Sequence, residues 1–122
     1  MDQQGNAYVA ASTPGKKYAK NTSDYDITVF KYDSAGKQSW VQRYNKPKGW
    51  DSPTGIVVDS SGYVYVAGDI TVKEKGKKPG RYDSAVLKYD SAGKRLWAKR
   101  YNGPYKGSSR PSTIALDSAG NL

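Results

Sequence analysis

The chain has 122 residues, 20 of them Lys or Arg against 11 Asp or Glu, for a net charge of +9, and it contains neither Cys nor His. This composition excludes disulfide frameworks, thiolate zinc sites, thiol nucleophiles and His-based acid–base catalysis. A mean hydropathy of −0.84 with 36% hydrophobic residues leaves little apolar surface for an isolated core, and the sequence shows neither a membrane-spanning apolar run nor a signal-peptide pattern.

In chain order the pattern predicts strands near 6–11, 27–33 and 38–44, then near 55–59, 63–69, 84–90 and 95–101, and a last one near 113–117. Their signal is period-2 alternation: Val64, Val66 and Gly68 alternate with Tyr63, Tyr65 and Ala67, and Ala85, Leu87 and Tyr89 with Val86 and Lys88. No segment carries a 3.6-residue period. Several strands are apolar on both faces, which points to sheets stacked between neighbouring sheets.

The chain also says nearly the same thing twice. KYDSAGK at 31–37 returns at 88–94, Trp40 as Trp97, and Arg43-Tyr44-Asn45 as Arg100-Tyr101-Asn102, all at an offset of 57. Ile56 to Gly62 recurs in pattern as Ile114 to Gly120, the opening of a third copy, at an offset of 58. Five loops carry Asp first and Gly fourth, starting at Asp2, Asp33, Asp59, Asp90 and Asp117; this is the mark of a type I turn closed by a glycine bulge. Each repeat therefore holds four strands, lettered A to D, in the order B-C-D, A-B-C-D, A. The organisation read from this is a single segment over 1–122, with repeat 1 at about 2–58, repeat 2 at about 59–116 and a third repeat starting at 117–122.

Four short antiparallel strands per repeat are the pattern of a β-propeller blade. The run from Asp59-Ser60-Ser61-Gly62 through Tyr65-Val66-Ala67-Gly68, then Tyr82-Asp83 through KYDSAGK, Trp97 and Arg100-Tyr101, resembles the bacterial seven-bladed β-propeller repeat (SBBP) family. The resemblance covers essentially the whole chain. It implies an all-β fold of propeller blades, two blade-equivalents per chain. Members of the family are often surface or secreted bacterial proteins, mostly without an assigned activity, so the resemblance speaks to fold more than to function.

Two blades do not close a propeller, which leads to the expectation that the ring is completed by oligomerisation. Strand A of one copy would pair with strand B of the next, a head-to-tail contact that closes into a ring. Whole chains add blades in twos. A blade wedge tuned for seven spans about 51°, nearer the roughly 45° of eight blades than the roughly 60° of six. The expectation is a homotetramer of eight blades, with a trimer of six as the alternative; an excised fragment of a longer propeller is the other reading.

Propeller topology places the B–C loops (12–25 and 70–82) and D–A loops (45–54 and 102–112) on one face, with 12 of the 20 cations. Candidate ligand-binding residues there are Tyr18, Lys48, Trp50, Lys75, Lys78, Arg81, Tyr105, Lys106 and Arg110. Such a face attracts polyanions, and aromatic rings among cations stack on bases or sugars; a Lys-rich loop is equally the ordinary solvated surface of a domain. Glycans through Trp50, Tyr105 and Tyr18 make the lectin alternative. The Asp-x-x-Gly loops bring one carboxylate each, which suits a turn better than a calcium site. Trp40, Trp97, Tyr44 and Tyr101 read as blade-to-blade packing. Asp24 and Asp26 form a carboxylate pair, but Asp26 recurs as Asp83 at the start of strand C, a structural position. No catalytic residue, cofactor or metal ligand is expected, and the chain reads as non-enzymatic.

Overall fold

The computed structural model of the chain describes residues 1–15, 24–44, 49–72, 81–102 and 107–122. The first sheet holds β1 (Ala7–Pro14), β2 (Tyr25–Tyr32) and β3 (Gln38–Tyr44) in that order. The second holds β4 (Ser52–Val58), β5 (Val64–Val72), β6 (Arg81–Tyr89) and β7 (Arg95–Tyr101), also in chain order. Every neighbouring pair is antiparallel. These are the expected B-C-D and A-B-C-D sets, with most strands reaching one to three residues further than the alternation indicated.

Residues 113–117 differ from expectation. They form no strand, because no described strand lies beside them as a ladder partner. Ile114 instead lies alongside β4, its Cγ2 2.9 Å from the place a Cβ on Gly55 would take.

The hairpins follow from turn chemistry. In all five Asp-x-x-Gly loops the glycine has φ between 79 and 89°, a region where L side chains are strained. The glycine N–H donates to the Asp carbonyl at 2.9–3.1 Å. Each Asp Oδ1 accepts the backbone N–H groups two and four residues on. The carboxylates are thus occupied by their own turns.

Register lines up a repeated row across each sheet. Tyr8 pairs with Lys31 and Lys31 with Trp40 in the first sheet, as Tyr65, Lys88 and Trp97 do in the second. The lysine ammonium lies over the tyrosine ring, at 5.3 Å for Lys31 on Tyr8 and 4.9 Å for Lys88 on Tyr65. The Trp meets the same ring at 6.4 and 6.3 Å. A lysine inside the strand motif is therefore explained: its stem lies on the sheet and its charge on an aromatic face.

The core lies between the two sheets. Ile27, Val29 and Tyr44 from the first pack on Val64, Val66, Ala85, Leu87 and Tyr89 from the second, with Ile70 at one end. Removing each such side chain from water is worth roughly 1.5–3 kcal/mol. Trp40 seals one end by stacking on Tyr89 at 6.3 Å, and its indole N–H donates to the Ser91 carbonyl at 3.1 Å. Trp40 covers Gly93 so closely that an added Cβ there would sit 2.8 Å from the indole.

Candidate functional site

Two regions qualify: the junction where the chain passes from one sheet to the next, and the loop face beside it. Both are at the end of the sheets where β2 and β6 begin and β3 and β7 finish. Asp26 and Asp83, the entry residues of the C strands, are buried there. Alternation turns Asp83 toward the first sheet and Asp26 to the face of its sheet turned away from the second, and in either place a buried carboxylate requires a partner. Asp83 has two: Arg100 reaches Oδ2 at 2.9 Å and Arg81 reaches Oδ1 at 3.0 Å. Among the described residues Asp26 has one guanidinium, Arg43 on Oδ2 at 3.1 Å, and its Oδ1 is left without a hydrogen bond.

Asp51 completes this junction. Its N–H donates to the Tyr25 carbonyl at 2.8 Å, its carbonyl accepts the Ser12 hydroxyl at 2.8 Å, and its Oδ1 accepts the Thr71 N–H at 2.8 Å. The residue is 1% exposed, and Oδ2 has no hydrogen-bond partner among the described residues. Asp24 adds a third acid, accepting the Gly49 N–H at 3.0 Å. Repeat 2 builds the same backbone with other charges. Ser109 replaces Asp51 and donates to the Tyr82 carbonyl at 2.7 Å; Arg81 replaces Asp24; and Pro14, which has no N–H, is the repeat counterpart of Thr71.

The loop face is visible at three of the nine candidate positions. Trp50 stacks on Tyr25 at 4.8 Å and leaves 53% of its surface exposed. The Thr71 hydroxyl is bonded to both its N–H and its carbonyl. Arg110 lies over the Tyr82 ring at 4.1 Å and 3.8 Å from Asp69. Arg81 is held on Asp83. Tyr25 and Tyr82 are repeat counterparts, so Trp50 and Arg110 cover the same ring position in the two repeats. Tyr18, Lys48, Lys75, Lys78, Tyr105 and Lys106 lie outside the described residues, as do ten of the twelve loop cations. The three described candidates are thus engaged with the fold, and only Trp50 offers a broad open aromatic surface.

Sequence reasoning missed the Asp51 junction because Asp51 falls within the 45–54 loop. The available signal was paired divergence: acid against Ser109 at one repeat position, N–H donor against Pro14 at the facing one. The aromatic reading holds for Trp40 and Tyr44. Tyr101 is 61% exposed where Tyr44 is 3% exposed, because among the described residues no further sheet packs on that side.

The junction carries a pH dependence. Burial pushes the Asp51 carboxyl up to about 6 from an ordinary 3.8, against the Thr71 N–H bond; Asp26 and Asp24 raise it further and Arg100 opposes them. Burial also raises Asp26, against Arg43. A carboxyl that holds its proton more tightly when folded contributes stability that is complete below about 4 and lost as pH rises through about 6, of the order of 2 kcal/mol. The contribution of Asp51 should therefore make the thermal midpoint fall between about pH 4 and about pH 6 and leave it level above that. Asp51→Asn, which keeps an oxygen for Thr71, should remove most of that fall; an unchanged slope in calorimetry of the variant would contradict the assignment.

A family model for the beta-propeller repeat (SBBP) matches residues 40–73. No curated protein matches the chain. The matched window opens at Trp40 on β3, crosses the junction holding Asp51 and takes in β4 and β5. It thus contains the passage from one sheet to the next, together with the Asp59 turn and the Trp that seals the core. Over residues 40–73, then, the chain is similar to the beta-propeller repeat.

Proposed function

We propose that the protein is a self-assembling β-propeller module, structural or interacting rather than catalytic, whose copies join head to tail. The observation that carries this is the contrast between repeat-equivalent aromatics. Tyr44 is 3% exposed under the second sheet, whereas Tyr101, the same residue of the repeat, is 61% exposed. A further blade on that side would bury Tyr101 as Tyr44 is buried, and a second copy of the chain supplies one. The edge of the first sheet supports the same reading. Among the described residues β1 has a strand neighbour on one side only, and unpaired edges invite strand addition. A cleft of about 440 Å³ between β1 and β4 is lined by Tyr8, Ile56, Val57, Val58 and the segment Ile114–Leu116.

In the proposed assembly, strand exchange places the 113–117 segment of one copy beside β1 of the next. The pairing of β4 with β5 sets the register: Ile114 opposite Val9, Ala115 opposite Tyr8 and Leu116 opposite Ala7. Four copies make the eight-bladed ring favoured by the wedge argument, and three make the six-bladed alternative. Light scattering after size exclusion should give about 54 kDa, four chains of 13.4 kDa, at micromolar concentration and moderate salt. About 40 kDa would select the trimer, and a folded monomer at every concentration would refute self-assembly.

The basic loop face is the module's candidate recognition surface, for polyanions or, in the lectin reading, for glycans through Trp50. What supports it is the open Trp50 ring and the +9 charge. Counterion release makes polyanion binding strongest at low salt. Binding to a heparin column that weakens steeply as salt rises is the expected result; no retention at low salt removes the polyanion reading, and absence of Trp quenching by sugars removes the glycan one.

A further inference from the structure

The face that receives a second copy is also recognisable, on the opposite side of the molecule. In the second sheet, Val66, Leu87 and Tyr89 face the first sheet and are 0%, 0% and 1% exposed. Their counterparts 57 residues earlier are Val9, Phe30 and Tyr32, on the face of the first sheet turned away from the second. Val9 is 44% exposed, and Phe30 and Tyr32 are half-buried. Val41, the counterpart of half-buried Ala98, is 44% exposed as well. Register joins Val9, Phe30 and Val41 in one cross-strand row, so the patch is contiguous. Its intramolecular twin is the covered half of the core.

The glycine turns show the same asymmetry. Gly93 is buried under Trp40, whose indole would lie 2.8 Å from a Cβ added there, whereas Gly36 has nothing within 4 Å of an added Cβ among the described residues. Trp40 also donates to the Ser91 carbonyl; Ser34 is the counterpart of Ser91. Two surfaces therefore lack a neighbouring sheet among the described residues, one carrying half-buried Trp97 and exposed Tyr101 and the other Val9, Phe30, Tyr32 and Val41. Each is the repeat image of a surface that, inside the chain, is covered by the image of the other.

We infer that a second copy of this chain seats its Trp97 over Gly36, with the indole N–H donating to the Ser34 carbonyl and Tyr101 closing over the Val9–Phe30–Val41 row. This rests on the self-assembly reading and assigns it two specific, non-identical faces. The contact is heterologous, so each copy has one donating and one receiving surface, and blocking either stops growth at that side only.

Two variants test it. Trp97→Ala disables the donating face, and Val41→Lys places a charge on the receiving one, at an already exposed position. Each variant alone should lose the oligomer at a concentration where the parent chain is assembled, while keeping the parent's circular dichroism. Mixed in equal amounts, they should form a species of two chains and nothing larger, since one intact face of each kind remains. An assembled parent whose mass neither variant alters would overturn the seat and leave self-assembly standing. Two monomeric variants that fail to combine would overturn the head-to-tail assignment, and a monomeric parent would overturn the reading beneath it. Should either variant misfold, Tyr101→Ala and Val9→Lys block the same two faces with smaller or more peripheral changes.

Discussion

A sheet with two apolar faces requires two neighbours, and the rest of this molecule follows from that constraint. Inside the chain it is met once, where Ile27, Val29 and Tyr44 close on Val66, Leu87 and Tyr89. The hydrophobic effect is non-directional, so the aromatic and glycine pieces supply the register of that contact. Trp40 fits only because position 93 has no side chain, and its indole N–H is satisfied by the Ser91 carbonyl. Repetition then writes the same lock and the same key at positions that have no counterpart within the chain. In the proposed assembly the exposed Tyr101 and the open Gly36 belong to the two halves of one contact.

The ends of the sheets are governed by charge rather than by apolar area. Entry of strand C buries an Asp in both repeats, and a buried carboxylate is tolerable only with a guanidinium or a proton. In repeat 2 two arginines saturate Asp83. In repeat 1 Arg43 is bonded to Asp26, while Asp51, with Asp26 and Asp24 nearby, is opposed only by the more distant Arg100 among the described residues, so a proton serves in its place. This divergence matters for assembly. The junction within the chain is bonded through Asp51 and the Thr71 N–H; a junction between copies would set Ser109 against Pro14, which donates nothing. The two kinds of junction share an aromatic lock and differ in their ionic end.

Much of this was legible in the residues. Asp at the first and Gly at the fourth turn position dictated five tight turns, three of them hairpins between described strands, because only glycine takes their positive φ without strain. The 57-residue offset gave the strand order and the equivalence of Trp40 with Trp97. What alternation cannot say is which of two apolar faces is covered, since Val66 and Val9 look alike in sequence and differ only through the neighbouring sheet. The strand expected at 113–117 failed for a related reason: a ladder needs a partner, and Ile114-Ala115-Leu116 has none beside it among the described residues. Asp51 was hidden because burial, not residue type, turns a loop acid into a proton site.

The account stands on the claim that the face covering Tyr44 and Trp40 is reused between copies, and hydroxyl-radical footprinting read by mass spectrometry tests it directly. Trp40 and Tyr44 serve as internal standards for Trp97 and Tyr101 in the same chain. At assembled concentrations the two pairs should be protected alike, and on dilution Trp97 and Tyr101 should become reactive while Trp40 and Tyr44 stay protected. An oligomer in which Trp97 and Tyr101 react freely would show that copies meet through some other surface, and the account would be wrong at its centre.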